Sequence, residues 1–339
     1  MNLHERIQYR ILRQAKNLVW LLDYAVWIIL SPYKFKKHTK IESVLIIEDV
    51  GLGDLLVTTP VIRALNKKYG KVDVLVKPGM EAVLKGNPNV ENIITEVKDN
   101  YDLGVILHAR TKGNYKTSKM LKEKCKYRIG CTRVGFREGK GFFLNRKTVP
   151  NFKVKKKIQD NLDVIRTIGL NGDSHLEAYT DYVPPIQDYI VFHTYSAYKT
   201  HNWYKEKWIE LAKKINHHIV FTGTNKKYVQ DIIKEVDKTK VTDATGTTIK
   251  EYFGWIKHAN QVITVDTSSM HIAAAFNKKV ISLFGNGDPR IWEPETERSS
   301  VILKGDCHSC HLATCARKDH RCMKLIEPED ILNKLNLER

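Results

Sequence analysis

The sequence predicts an α/β protein built from two doubly wound sheets, and three observations carry that expectation. Short apolar runs rich in β-branched residues alternate with amphipathic stretches, a rhythm that means parallel strands joined by right-handed crossovers. The rhythm starts twice, once after Ile41 and again after Val183-Pro184-Pro185. With 339 residues and 42% apolar side chains, the chain is long enough to fill two ordinary cores.

In chain order, the first module has expected strands at 44–48, 72–76, 103–107 and 127–130. Between the first two, LLVTTPVIRALNKKYG is expected to form a helix closed by Gly70. The second module has expected strands at 189–194, 218–224, 261–267 and 280–285. The segments are therefore an N-terminal amphipathic helix and basic linker over 1–40, one domain over 41–183, a second over 184–325, and a C-terminal helix over 326–339.

Residues 18–30, LVWLLDYAVWIIL, are apolar except for Asp23. Arg6, Arg10, Arg13 and Lys16 precede them; Lys34, Lys36, Lys37 and Lys40 follow. Crossing a bilayer core takes about twenty apolar residues, so this run is too short to span. Trp20, Tyr24 and Trp27 suit a headgroup boundary and the cations suit anionic lipid, so a helix lying in a membrane interface is expected. A helix packed on its own protein is the alternative. Ser31-Pro32 ends the element.

Lys and Arg number 56 against 38 Asp and Glu, a formal charge of +18, so the molecule's field attracts polyanions. Nucleic acid, anionic lipid and phosphorylated sugars all qualify. No nucleic-acid-binding module and no basic stripe interleaved with aromatics accompanies the charge, so nucleic acid is not the expected partner. Six cysteines do not make a disulfide scaffold in a chain of this length, and no signal-peptide cleavage pattern is present. A reducing, cytoplasmic setting is expected. Cys307, Cys310, Cys315 and Cys322, with His308, His311 and His320 interleaved, supply ligands enough for a structural zinc; a disulfide pair and plain thiols are the other readings, and none is a catalytic metal.

Ligands in doubly wound sheets collect beyond the carboxyl ends of the strands. Three such ends carry unusual residues. Gly51-Leu52-Gly53-Asp54 follows the first strand, where the glycines permit a close turn and Asp54 stands at a helix start, either as a cap or as a group aimed into a site. It is neither a Walker loop nor a dinucleotide fingerprint. Val265-Asp266-Thr267-Ser268-Ser269-Met270-His271 leaves another strand and opens a helix, whose free amides and hydroxyls make a site for a phosphate or pyrophosphate. In His193 to Trp203, Thr194 and Ser196 offer hydroxyls and Lys199 a cation, which suit the other side of a diphosphate.

VLIIEDVGLGDLLVTTPVIRALNKKYG resembles the opening of the bacterial heptosyltransferase family, and VITVDTSSMHIAAAFNKKVISLFGNGDP resembles its donor-binding segment. The resemblance implies the GT-B architecture, two Rossmann-like domains facing a cleft, and a metal-independent, inverting transfer from a nucleoside-diphosphate sugar, usually ADP-heptose, to a lipid-linked or lipopolysaccharide-core saccharide. By position, Asp54 matches the general base and Lys199 the cation that balances the leaving diphosphate. Thr194, Ser196, Asp266, Thr267, Ser268 and His271 match donor-binding positions, and Thr247 falls where backbone lines the adenine. On the acceptor side, Gly53, Arg63, Lys67, His108, Arg110, Lys112 and Arg128 suit a phosphorylated saccharide. The chain departs from the family where Ser268 replaces a glycine, and where Lys227 stands in place of a ribose-binding glutamate. Because a lysine accepts no hydrogen bond, the ribose must be held differently or belong to another nucleotide. The resemblance implies no catalytic cofactor and a place on the inner face of the cytoplasmic membrane. A non-catalytic sugar-nucleotide or membrane adaptor of the same fold, and a basic nucleic-acid-binding protein, are the alternatives.

Overall fold

The computed structural model describes residues 18–19, 21–22, 24–35, 40–108, 114–131, 143–150, 153–305, 310, 314–315 and 318–335. The chain divides into two compact units, one running to Leu176 and the other starting at Glu177.

The first unit holds β1 (Val44–Glu48), β2 (Val72–Val76), β3 (Asn92–Ile94), β4 (Tyr101–Ile106), β5 (Cys125–Gly130) and β6 (Arg146–Lys147) in the order β3-β2-β1-β4-β5-β6. Every pairing is parallel. The second holds β7 (Tyr189–His193), β8 (His218–Gly223), β9 (Val241–Thr245), β10 (Gln261–Val265), β11 (Lys279–Phe284) and β12 (Ser299–Leu303), also all parallel, in the order β12-β11-β10-β7-β8-β9. The winding is the same in both units: the first and fourth strands lie side by side, and the chain reverses its direction of travel across the sheet there. That pair defines the switch point at which open α/β sheets bind ligands. β1, β7 and β10 are buried along their whole length, which is why each reads as a mainly apolar run rather than an alternation.

The stretch expected as one helix after β1 is two, Leu52–Leu56 and Thr59–Tyr69. Pro60 is the cause, since it has no N–H to continue a helix but is tolerated in the first turn of a new one. Gly70 closes the second helix at φ 86, a conformation that suits glycine. Buried Val61, Ile62 and Leu65 seat it.

Residues 24–30 are helical, and Pro32–Phe35 adds a 3-10 turn. Trp27, expected at a headgroup boundary, is instead buried in its own unit, where its indole N–H donates to the Leu144 carbonyl at 2.9 Å. Asn145 and Arg146 donate to the carbonyls of Tyr33 and Lys34 at 2.7 and 2.8 Å. Leu18, Leu21, Leu22, Ile28, Ile29 and Leu30 stay exposed. One flank of this segment therefore packs on protein and another presents a row of aliphatic side chains to solvent. Among the described residues no helix is long and apolar enough to cross a membrane. Trp20 and Asp23 lie outside the described residues, as do Arg6, Arg10, Arg13, Lys16, Lys36 and Lys37.

The core of the second unit is aromatic. Phe192, Phe221, Trp203 and Trp208 pack with ring centroids 5.0 to 5.5 Å apart. Each such side chain contributes about 1.5–3 kcal/mol through burial. The Trp203 indole donates to the Ile326 carbonyl at 3.1 Å, so the C-terminal segment is tied to the strand-end loop after β7.

Candidate active site

In the first unit the switch point lies between β1 and β4. Gly51 caps the short helix after β1 with ordinary extended backbone (φ −82, ψ 173), and a Cβ there would meet nothing within 4 Å. The turn therefore does not require a glycine, and the space around it is open. Asp54 is the third residue of that helix, whose N-cap residue is Gly51. His108, just past β4, stands beside the Asp54 carboxylate, with Nε2 3.6 Å from Oδ1. The other ring nitrogen lies 2.7 Å from Oε2 of Glu48, the fully buried last residue of β1.

The remaining acceptor-side expectations divide. Arg128 is buried at 4% exposure; its guanidinium donates to the carbonyls of Phe143 and Cys125, each at 2.6 Å, and covers the Tyr33 ring at 4.9 Å. It is a brace for the N-terminal segment, its guanidinium held by backbone carbonyls. Arg63 ion-pairs with Asp173 and donates to the His175 carbonyl at 2.9 Å. Lys67 is in the last turn of Thr59–Tyr69, and that helix returns to the amino end of β2, the edge of the sheet opposite Asp54. Arg110 and Lys112 lie outside the described residues.

In the second unit the switch point lies between β7 and β10, and the predicted donor residues other than Thr247 gather there. Thr194, just after β7, is fully buried, and its Oγ1 has no hydrogen-bond partner among the described residues. The Ser196 amide donates to Asn202 Oδ1 at 2.6 Å, which folds the loop back so that Lys199 opens a 3-10 turn, Lys199–His201. Lys199 is exposed and makes no ion pair among the described residues. After β10, Thr267 caps helix Ser268–Ala275, its Oγ1 accepting from the Ser269 amide at 3.4 Å. The cap leaves the other first-turn amides to an incoming anion. His271 is buried in that helix.

Asp266 is buried at 7% exposure, and burial pushes its carboxyl up to about 6, against the pull of His201, whose Nδ1 lies 3.8 Å from Oδ2. The same nitrogen is 2.7 Å from the Asp266 carbonyl. A Cβ at Gly287 would collide with Asp266 Oδ2, so the loop after β11 needs its glycine for this approach. Beneath the helix start runs a chain of polar groups that no single motif announces. His193 is 3.1 Å from Thr222 Oγ1 and 3.1 Å from the Tyr252 hydroxyl, which reaches Ser269 Oγ at 2.5 Å. Burial holds His193 down to about 4, so it stays neutral and works as a hydrogen-bonding strut. Thr247 hydrogen-bonds the Ala244 carbonyl at 3.1 Å just before the helix Ile249–Lys257.

Cys307, His308 and His311 lie outside the described residues; Cys322 is buried, and His320 Nε2 is 3.0 Å from the Thr200 carbonyl. Among the described residues no three His, Cys, Asp or Glu side chains are grouped to hold a metal ion.

Residues 128–320, more than half of the chain, match the family model described as "Glycosyltransferase family 9 (heptosyltransferase)". The chain belongs to glycosyltransferase family 9. It is similar to lipopolysaccharide heptosyltransferase 3 of Escherichia coli, 25% identical over 328 residues that cover 83% of this chain and 94% of that protein. In architecture it is similar to the family 9 glycosyl transferase of Veillonella parvula, at TM-score 0.74 and 17% identity, over 88% of this chain and 97% of the other. The E. coli ADP-heptose lps heptosyltransferase II superposes at TM-score 0.69 and 18% identity, over 87% and 97% of the two chains. This family 9 member is therefore a glycosyltransferase with two doubly wound α/β sheets of the GT-B class. Family membership decides for an enzyme over a non-catalytic adaptor.

Proposed function

We propose that this glycosyltransferase moves a heptosyl group, with inversion, from ADP-heptose to a saccharide of a lipopolysaccharide core. An inverting displacement needs a base on the acceptor hydroxyl and positive potential on the departing diphosphate. Asp54 serves as the base. The amides at Thr267 and Ser268 with Lys199 hold the diphosphate, Asp266 accepts hydrogen bonds from sugar hydroxyls, and Thr194, Ser196 and His271 line the same strand ends. The observation that carries the proposal is the Asp54 carboxylate, placed in the first turn of a helix at the switch point, 3.6 Å from His108 Nε2. Lys199 and the helix amides supply the charge a metal would otherwise bring, so the transfer is metal-independent in this reading.

The similarity to a lipopolysaccharide heptosyltransferase and to an ADP-heptose lps heptosyltransferase supports the heptose donor and the lipopolysaccharide acceptor. We further propose a peripheral seat on the inner, anionic face of the cytoplasmic membrane. The exposed Leu21, Leu22, Ile28 and Ile29 would enter the interface, with the chain's surplus of cations attracting the lipid. Lys227, exposed at the start of Lys226–Ile233, leaves the ribose to other partners.

The test is the variant Asp54→Asn with ADP-heptose and a heptose-deficient lipopolysaccharide core. Turnover should fall by about 10³-fold, within the span of a lost general base, while calorimetric affinity for ADP-heptose stays within about twofold. Near wild-type turnover would remove Asp54 from the role.

A further inference from the structure

The base assigned above stands beside a second carboxylate that the transfer chemistry leaves unused. Glu48 ends β1 with no exposed surface, a position where a carboxylate is costly unless it is paired. Its Oε2 is 2.7 Å from His108 Nδ1, and its Oε1 has no hydrogen-bond partner among the described residues. His108 stands just past β4, the strand paired with β1, so the register of the sheet fixes this contact. The imidazole is only 13% exposed. Its Nε2 also has no hydrogen-bond partner among the described residues, and the atom facing it is Asp54 Oδ1 at 3.6 Å. Carboxylate, imidazole and carboxylate thus run from the interior of the sheet to its ligand-binding edge.

We infer that Glu48 and His108 are positioning residues that draw the transferred proton off Asp54, an inference that rests on Asp54 being the base. Glu48 accepts a hydrogen bond from Nδ1–H and so fixes the tautomer, leaving the lone pair on Nε2 turned toward Asp54. At 3.6 Å no hydrogen bond joins the two, as expected while both atoms are acceptors. In the reaction the acceptor O–H bond breaks as its oxygen bonds to the anomeric carbon, and the bond from that carbon to the diphosphate oxygen breaks with its electron pair. Asp54 takes the proton. Now a donor, it closes on His108 Nε2 by about 0.7 Å to ordinary hydrogen-bond length and passes the proton on. The product is an imidazolium held between two carboxylates, which returns its proton to solvent through the part-exposed Asp54 carboxylate once the products leave.

A merely structural pair would affect folding, whereas a relay affects turnover. In the full-length protein with the same two substrates, His108→Gln should lower kcat about 100-fold and leave KM for donor and acceptor within about twofold. His108→Ala should regain about tenfold when free imidazole is added, since the ring and not the backbone carries the proton. Glu48→Gln, nearly isosteric, should lower kcat about tenfold because a neutral amide stabilises an imidazolium less. Full kcat in His108→Gln overturns the relay, and so does a loss that imidazole fails to restore in a variant whose melting temperature still rises with ADP-heptose. Should His108→Ala fail to fold, the two conservative variants decide. If Asp54→Asn is inactive while His108→Gln runs at full rate, only the relay falls; if Asp54→Asn itself turns over normally, the base assignment falls and takes the relay with it.

Discussion

Asp266 illustrates how a site residue is set by where it is held. Burial raises its carboxyl to about 6, and His201 offsets only part of that. Binding sugar hydroxyls as an acceptor requires the ionised form, so donor affinity should weaken as pH falls through about 6. Calorimetry with ADP-heptose should give an affinity about tenfold lower one pH unit below that value, the linkage expected for a single proton; a flat profile from about pH 5 to 8 would exclude Asp266 from the donor site. For folding the sign is opposite. A raised carboxyl favours the native state most below its unfolded value near 3.8, and that advantage is lost as pH rises through about 6. His193 runs the other way: its contribution is complete above about 6.5 and is lost as pH falls toward 4. At this scale Asp54, Lys199 and Asp266 stand out in the sequence because each sits in a short motif at a strand end, and the roles given to them are proposals. Glu48 was not singled out, although a lone charge closing an apolar strand was a signal. Arg128 was misplaced because its partners Tyr33 and Phe143 are distant or separately placed along the chain.

Elements were legible in proportion to how fully they are buried. The eight expected strands are all present, whereas β3, β6, β9 and β12 were missed. The last is half-buried, β9 is the polar VTDAT, and β3 and β6 have three and two residues, so none gives an apolar run. They lie toward or at the sheet margins, where one flank needs no covering. The joined helix after β1 failed for a different reason: periodicity continued through Thr58-Thr59-Pro60, but the backbone could not. Packing between elements also yields a prediction. A Cβ on Gly285, after β11, would stand 2.5 Å from the Thr200 carbonyl and 3.1 Å from Met323. Gly285→Ala should therefore cost about 1–3 kcal/mol of stability and displace the turn that carries Lys199. Melting and kcat should fall together, and unchanged values for both would show that the turn yields freely.

For the whole molecule, the proposed membrane seat would draw on both the surplus of cations and the aliphatic row at the N-terminal helix. Deleting residues 1–40 would be a poor test of membrane seating, since Trp27, Tyr33 and Lys34 are bonded to 144–146. Leu22→Asp with Ile29→Asp leaves those bonds in place. In co-sedimentation with vesicles containing anionic lipid, this variant should lose at least about tenfold in binding, a modest figure for two buried aliphatic side chains. Binding that survives both changes, or that does not weaken with added salt, would defeat the interfacial seat.

The sequence by itself determined the doubly wound class, its repetition along the chain and the strand ends at which a site is proposed. Those properties depend on hydrophobic period and on residues close together in the chain, which any fragment of the sequence displays. Only the tertiary structure decided that Glu48 and His108, sixty residues apart, meet beside Asp54, that Arg128 braces the N-terminal segment, and that one flank of that segment is already covered. Such contacts follow from strand order and parallel register, and these are fixed by how whole layers pack rather than by any local pattern.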